Sequence, residues 1–345
     1  MNLISSADRL PPALAASLSA TERELIGAPR SFPFAVTPHF ASLAKPERND
    51  PIRRQFMPDE REALYDPSSR DDPLGEALHR VTAHLVDQYG DRVLLFAGGR
   101  CAGHCRYCFR KNRIPAAFIN DEELEPVLNY IRSRPGIREI LVSGGDPLSA
   151  DDGELSKLFE KLRQAGPGMA IRLCSRIPIT EPERIGPGTV KLLAGIKGLR
   201  LSTHINHPAE LAPVTREVLS KLVNEKIPVL VQTVLLRGVN DSAEILAELF
   251  LKCRDLGLTP YYLFQIDLAP GTAHFRVPLK EGLSIYNSLK QLADFPLPAY
   301  AVDLPGGGGK IRLSEDVIAG EAERPGGRVH LLKDPGGKLW EYPII

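Results

Sequence analysis

The feature that most constrains this chain is an alternation of short apolar runs with amphipathic segments. "RVLLFA" (92–97), "EILVSGG" (139–145), "AIRLCS" (170–175), "LRLSTHI" (199–205), "PVLVQTVLL" (228–236) and "PYYLFQIDL" (260–268) read as strands. Between them "DEELEPVLNYIRSR", "DDGELSKLFEKLRQ", "TREVLSKLVNEK" and "DSAEILAELFLKCRDLG" carry apolar residues at helical spacing, several opening on Asp or Thr as caps. Strand, helix, strand means parallel pairing through a right-handed crossover. Six such units fit an incomplete β/α barrel better than a doubly wound sheet, although the periodicity is compatible with both. A second regularity favours the barrel. Cys101, Ser143, Ser175, His204, Gln232 and Asp267 stand at or near the ends of these runs, where β/α barrels assemble their active sites.

The flanks read differently. Residues 1–88 are rich in Pro and charge and are expected to form short helices and loops wrapping a body, residues 89–297, that is the barrel proper. Residues 298–345 form a C-terminal segment closing on "RVHLLKDPGGKLWEYP", a β-hairpin around a PGG turn. Lys plus Arg and Asp plus Glu each total 43. Such a balance leaves no overall electrostatic footprint for nucleic acid or an anionic membrane. No apolar run reaches bilayer length and the first residues lack a secretory pattern. An odd, clustered set of five cysteines points to a reducing cytoplasm rather than a disulfide scaffold.

Three of those cysteines lie in "CAGHCRYCFRKNR" (101–113). Three thiolates without an obvious fourth describe a metal centre with one position left open; the alternatives are a zinc site borrowing His104, or buried thiols. Cys174 and Cys253, in a strand and a helix, read as core residues. In "LVSGGDPL" (141–148), glycines let the backbone approach a ligand closely, or simply make a turn. "AVDLPGGGGKIRL" (301–313) spends four consecutive glycines, costly in conformational entropy, beside Lys310. A lysine so placed can carry pyridoxal phosphate as a Schiff base. A flexible linker is the other reading, and GGGGK lacks the arrangement of a phosphate loop.

Together with "STHINHPAE", "QTVLLRGVND", "PYYLFQIDLAPGTAHFRVPL", "NDPIRRQFMP" and "YGDRVLLF", these motifs resemble the lysine 2,3-aminomutase family over about residues 37–320. The resemblance implies a partial (β/α)6 barrel of the radical S-adenosylmethionine type and an isomerase that interconverts L-lysine and β-lysine (3,6-diaminohexanoate). It implies a 4Fe–4S cluster on Cys101, Cys105 and Cys108, whose open iron chelates S-adenosylmethionine, and pyridoxal phosphate on Lys310. Arg110 would pair with the substrate carboxylate, and Asp267 and Asp303 with the lysine ε-ammonium. Ser143, Gly144, Gly145, Asp146, Ser175, His204 and Gln232 would line the pocket for the two cofactors. Further implied are a small amino-acid substrate, an electron donor such as flavodoxin or ferredoxin, and, from the wrapping N-terminal region, a homo-oligomer. Arginine, ornithine or glutamate are alternative substrates. A relative that makes β-lysine for elongation factor P shares "CRYCFRK" but lacks the DxPGGGGK wording. Two departures stand out. Tyr107 replaces the family's usual histidine, and Ser242 stands where members have a zinc-ligand cysteine, so no zinc is expected.

Overall fold

The computed structural model describes residues 2–28, 32–111 and 117–344; Asn112 and Arg113, at the end of the cysteine-bearing stretch, lie outside the described residues. Ten strands form one sheet in strict sequence order. They are β1 (Arg80–Thr82), β2 (Leu85–Val86), β3 (Arg92–Gly98), β4 (Glu139–Gly144), β5 (Ala170–Cys174), β6 (Leu199–His204), β7 (Val229–Leu235), β8 (Thr259–Gln265), β9 (Ala299–Leu304) and β10 (Gly309–Arg312). From β3 to β9 every neighbouring pair is parallel. All six anticipated strands are present, and β9 adds a seventh parallel one that the glycine-rich wording around it had masked. β1 and β10, the sheet's two ends, are not paired with each other, so the barrel stays open.

Short helices α1 (Pro12–Ala16), α2 (Ala20–Gly27), α3 (Pro38–Ser42) and α4 (Arg53–Phe56) precede the sheet. The crossovers carry α5 (Asp121–Ser133), α6 (Asp152–Ala165), α7 (Ile177–Thr180) with α8 (Pro187–Ala194), α9 (Pro213–Asn224), α10 (Ala243–Asp255) and α11 (Leu279–Leu292). Local chemistry sets their starts. Asn120 with Glu123 and Asp151 with Glu154 make reciprocal capping boxes, each satisfying N–H groups that a helix leaves bare. Ser242 caps α10 by accepting from the Ile245 N–H at 3.3 Å. α9 begins on Pro213 rather than on the expected Thr215 cap; Thr215 is buried one turn in, 3.3 Å from His39 Nε2.

The two faces of the sheet differ. Val93, Leu95, Ile140, Val142, Ile171, Leu173, Leu201, Val231 and Leu263 are sealed in one core with the apolar stripes of the helices. On the opposite face the alternate positions Leu94, Leu141, Cys174, His204, Leu230, Gln232, Tyr262, Phe264 and Asp303 are only half-buried. A closed barrel fills its interior with side chains; this sheet instead curls around accessible space lined by polar and aromatic groups. Cys174 is therefore not a core residue, because its strand position turns it to this inner face, whereas Cys253 is fully buried as expected.

The sheet runs across both expected boundaries, at 88/89 through β1 and β2 and at 297/298 through β9 and β10. The C-terminal hairpin forms as β12 (Gly327–Lys333) and β13 (Leu339–Pro343), with Lys333 opposite Leu339. A third strand, β11 (Ile318–Arg324), pairs antiparallel with β12. Among the described residues no helix is long and apolar enough to cross a membrane.

Candidate active site

The loop after β3 brings Cys101, Cys105 and Cys108 together as free, half-buried thiols. It hangs on the N-terminal region. The His104 N–H donates to the Ala35 carbonyl at 2.8 Å and the Arg106 N–H to the Gln55 carbonyl at 2.9 Å. The buried Arg106 guanidinium pairs with Glu62 and reaches the Phe32 and Pro33 carbonyls, both at 3.2 Å. The His104 ring is oriented by its Nδ1, 2.8 Å from the Pro33 carbonyl. Burial first, then neighbouring acidic groups and the other thiols, push the Cys101 thiol well up; burial and Cys105 push Cys108 up to about 11. Thiols so placed ionise only when a cation joins them. Among the described residues no three His, Cys, Asp or Glu side chains converge on a single ion position. A cluster, in which each thiolate takes its own iron, fits three thiols in one loop without such convergence.

Arg176, one residue beyond Ser175, supplies a fixed cation beside the cysteines. Its Nη1 lies 2.9 Å from Cys105 Sγ, while Nη2 donates to Gln55 Oε1 at 2.5 Å and Glu210 Oε2 at 2.9 Å. Phe40 and Tyr107 flank the guanidinium at 4.9 and 5.4 Å. Tyr107, the departure noted in the motif, thus serves as one wall for this arginine.

The SGGD segment works against the protein's own backbone. Gly144 has φ +116, and a Cβ there would sit 2.5 Å from the Gly98 carbonyl oxygen; one on Gly145 would sit 2.6 Å from that of Arg100. These glycines let the end of β4 press against the stem of the cysteine loop. Asp146 is occupied as well. Its carboxylate accepts from the N–H groups of Leu148 at 3.1 Å, Arg176 at 2.7 Å and Ile177 at 3.1 Å, and from the Ser175 side chain. Burial nevertheless lifts it to about 6. Gly144, Gly145, Asp146 and Ser175 thus lie beside the cysteines, but in a framework that aligns β3, β4 and β5. Ser143 turns instead to Arg110, whose Nη1 is 3.4 Å from Ser143 Oγ.

His204 and Gln232 are cross-strand partners on β6 and β7, with Nε2 3.1 Å from Oε1. Burial, then the Arg176 cation, depress His204 to about 4, so the ring is neutral at physiological pH and available for hydrogen bonding.

Lys310 lies on β10 directly opposite Asp303 on β9, and its Nζ is 2.6 Å from Asp303 Oδ2. The rings of Phe264 and Tyr262 stand 3.9 and 5.3 Å from that nitrogen. The Lys310 side chain is 26% exposed. A reachable amine beside aromatic faces fits an aldehyde cofactor with a planar ring. The tetraglycine turn that carries it is packed, not a linker. Gly306, Gly307 and Gly309 have φ of +70, +87 and +78, and a Cβ on Gly308 would lie 2.8 Å from the Trp340 ring. Gln88 Nε2 donates to the Gly307 carbonyl at 3.2 Å, and the Lys310 N–H donates to the Tyr89 hydroxyl at 3.1 Å.

Asp267, just past β8, is lifted to about 8, by burial first and then by Asp303; Lys310 and Arg110 act in the opposite sense. These groups, drawn from positions 110 to 310, therefore feel one another's charge. Arg110 itself pairs with Glu76, Nη2 to Oε1 at 2.5 Å. Glu76, Arg176 and Tyr89 are contributions that sequence reasoning did not find. Arg176 has a signal, its place at a strand end, and Tyr89 has one in opening the "YGDRVLLF" motif; Glu76 has none, because it sits in a region that reads as wrapping.

The model of the Radical SAM superfamily matches residues 95–250. Over 280 residues the chain is 46% identical to a relative from Treponema pallidum, covering 80% of this chain and 78% of that protein. It is 36% identical over 323 residues to an L-lysine 2,3-aminomutase of Methanococcus maripaludis, covering 92% of this chain and 75% of that one. With an L-lysine 2,3-aminomutase of Clostridium subterminale the identity is 34% over 299 residues, covering 85% and 71%.

Proposed function

The chain belongs to the lysine 2,3-aminomutase family, and from that premise we propose that it interconverts L-lysine and β-lysine by moving the α-amino group to the β-carbon. The observation that carries this reading is Lys310 held 2.6 Å from Asp303 across the β9–β10 register, against the Phe264 and Tyr262 rings; the buried Asp267 is raised by Asp303 and lowered by Lys310 and Arg110. Two neighbouring buried carboxylates are unfavourable unless a cation joins them. L-Lysine brings an ammonium for that pair and a carboxylate for Arg110.

When bound, a 4Fe–4S cluster with S-adenosylmethionine would supply radical hydrogen-abstraction chemistry, and pyridoxal phosphate would supply the aldehyde that holds the amino nitrogen. Cys101, Cys105 and Cys108 would hold the cluster, leaving one iron without a protein ligand. Arg176, with Nη1 2.9 Å from Cys105 Sγ, would steady that sulfur as a cluster ligand. Lys310 would hold pyridoxal phosphate, with Phe264 and Tyr262 as its walls and neutral His204 with Gln232 as hydrogen-bonding groups deeper on the inner face. Arg110 takes the substrate carboxylate through a planar fork suited to it. Asp267 and Asp303 grip the distal ammonium, which orients the β-carbon between fixed ends. They disfavour glutamate, which would bring a third negative charge. The electron comes from a small redox protein such as flavodoxin or ferredoxin. Exposed Leu78 and Leu339 are apolar side chains that a homo-oligomeric contact would cover.

The test is anaerobic reconstitution with pyridoxal phosphate, S-adenosylmethionine, dithionite and L-lysine, with β-lysine read by mass spectrometry. Ornithine, arginine and glutamate run beside it. β-Lysine that disappears in Lys310→Ala and in Cys105→Ala is the expected result. Formation of 5′-deoxyadenosine with lysine untouched would overturn the substrate and keep the radical chemistry.

A further inference from the structure

We infer that Glu76 is a positioning residue for substrate recognition: it locks the Arg110 guanidinium so that a single edge is left for the substrate carboxylate. The inference rests on the reading of Arg110 as the carboxylate receptor. Glu76 is only 2% exposed, and its Oε1 receives Arg110 Nε at 3.1 Å and Nη2 at 2.5 Å. Those two nitrogens form one of the two edges on which a guanidinium can hold a carboxylate side by side. Phe109 and Phe96 lie near the guanidinium at 4.5 and 5.3 Å. What remains is the Nη1 side, which points toward Ser143 Oγ at 3.4 Å.

The neighbouring residue explains why this carboxylate is so well placed. Gly75 has φ +66, and a Cβ there would meet the Gly307 nitrogen at 2.5 Å. The Gly306 N–H points to the Pro73 carbonyl at 3.4 Å, and the Glu76 and Ala77 N–H groups donate to Asp72 at 3.0 and 2.8 Å. Glu76 is thus indexed on the tetraglycine turn that carries Lys310. The α-amino nitrogen and the carboxylate of an amino acid share one carbon. The groups that receive them must therefore keep a fixed separation, and the Gly75–Glu76 pair spans it.

The test is a double-mutant cycle of Glu76→Gln and Arg110→Lys, which keeps the cation so that binding stays measurable. L-Lysine binding is followed by equilibrium dialysis on the pyridoxal phosphate-loaded holoenzyme without S-adenosylmethionine, so that no turnover intervenes, and KM and kcat are measured with it. Glu76→Gln should weaken lysine binding about tenfold, the scale of one lost charged hydrogen bond, raising KM more than it lowers kcat. The same change in the Arg110→Lys background should have little further effect, and Glu76→Asp should recover part of the loss. Unaltered lysine binding in Glu76→Gln, or a loss that adds in full to that of Arg110→Lys, overturns the inference while leaving Arg110 in its role. Unaltered binding in Arg110→Lys, with wild-type turnover intact, overturns the reading of Arg110 and this inference with it.

Discussion

Asp267 is the residue whose ionisation most directly reports the site. Burial and Asp303 hold it at about 8, so near neutrality the empty site keeps a proton there. A substrate ammonium binds the ionised form and must displace that proton. The KM for L-lysine should therefore fall as pH rises toward about 8, with a proton released on binding and taken up on dissociation, and Asp267→Asn should flatten that dependence while reducing lysine turnover at least a hundredfold. The stability sign is opposite. A carboxyl raised above its ordinary value costs folded-state stability as pH climbs from the usual carboxylate range toward about 8. The enzyme without substrate should therefore melt lower at pH 8 than at pH 6, and Asp267→Asn should remove part of that slope in calorimetry. Gly144, in the glycine motif expected near the cofactors, is also fixed by packing. With φ +116 and no room for a Cβ against Gly98, Gly144→Ala should cost about 2–3 kcal/mol in denaturant unfolding.

At the scale of elements, the β9–β10 hairpin joins Lys310, the proposed cofactor lysine, to Asp303, one of the two carboxylates proposed to hold the distal ammonium. Register puts Lys310 opposite Asp303, so a slip of one residue would send one of them to the other face. The turn that holds this register is packed against Trp340 of β13, with Gly308 touching the indole. Gly308→Ala, whose Cβ would also come 2.7 Å from Leu304 Cβ, should disturb the hairpin and lower pyridoxal phosphate occupancy. The visible absorption of the lysine adduct measures it, and iron content should stay near wild type because the cysteine loop is built on other strands.

For the whole molecule, the N-terminal region is a frame for the cysteine loop rather than a cover. Arg106 from that loop is buried against Glu62, with side-chain exposures of 1% and 8%. Removing one member leaves a buried charge alone, which costs roughly 3–5 kcal/mol. Arg106→Ala should thus lose iron after reconstitution and lower the melting temperature, while Arg106→Ala with Glu62→Gln should recover part of both. Iron analysis and thermal unfolding of the two proteins decide it.

What the chain determined locally was the periodicity that lays down six strands and their helices, the cysteine spacing, and the glycine run before Lys310, because each is written in neighbouring residues. The position of Asp267 after a strand end was legible for the same reason. Tertiary structure alone decided that Cys174 faces the inner space, since a strand's alternation does not say which face is sealed. It also decided that the SGGD glycines pack against the stem of the cysteine loop and that Asp146 caps the turn after β5. Glu76 meets Arg110, Arg176 meets Cys105, and Asp303 is shared with Lys310. The first two pairings join segments far apart in sequence and the third joins the two strands of one hairpin; their energies come from burial and geometry that exist only once the sheet has curled and the N-terminal region has closed on it.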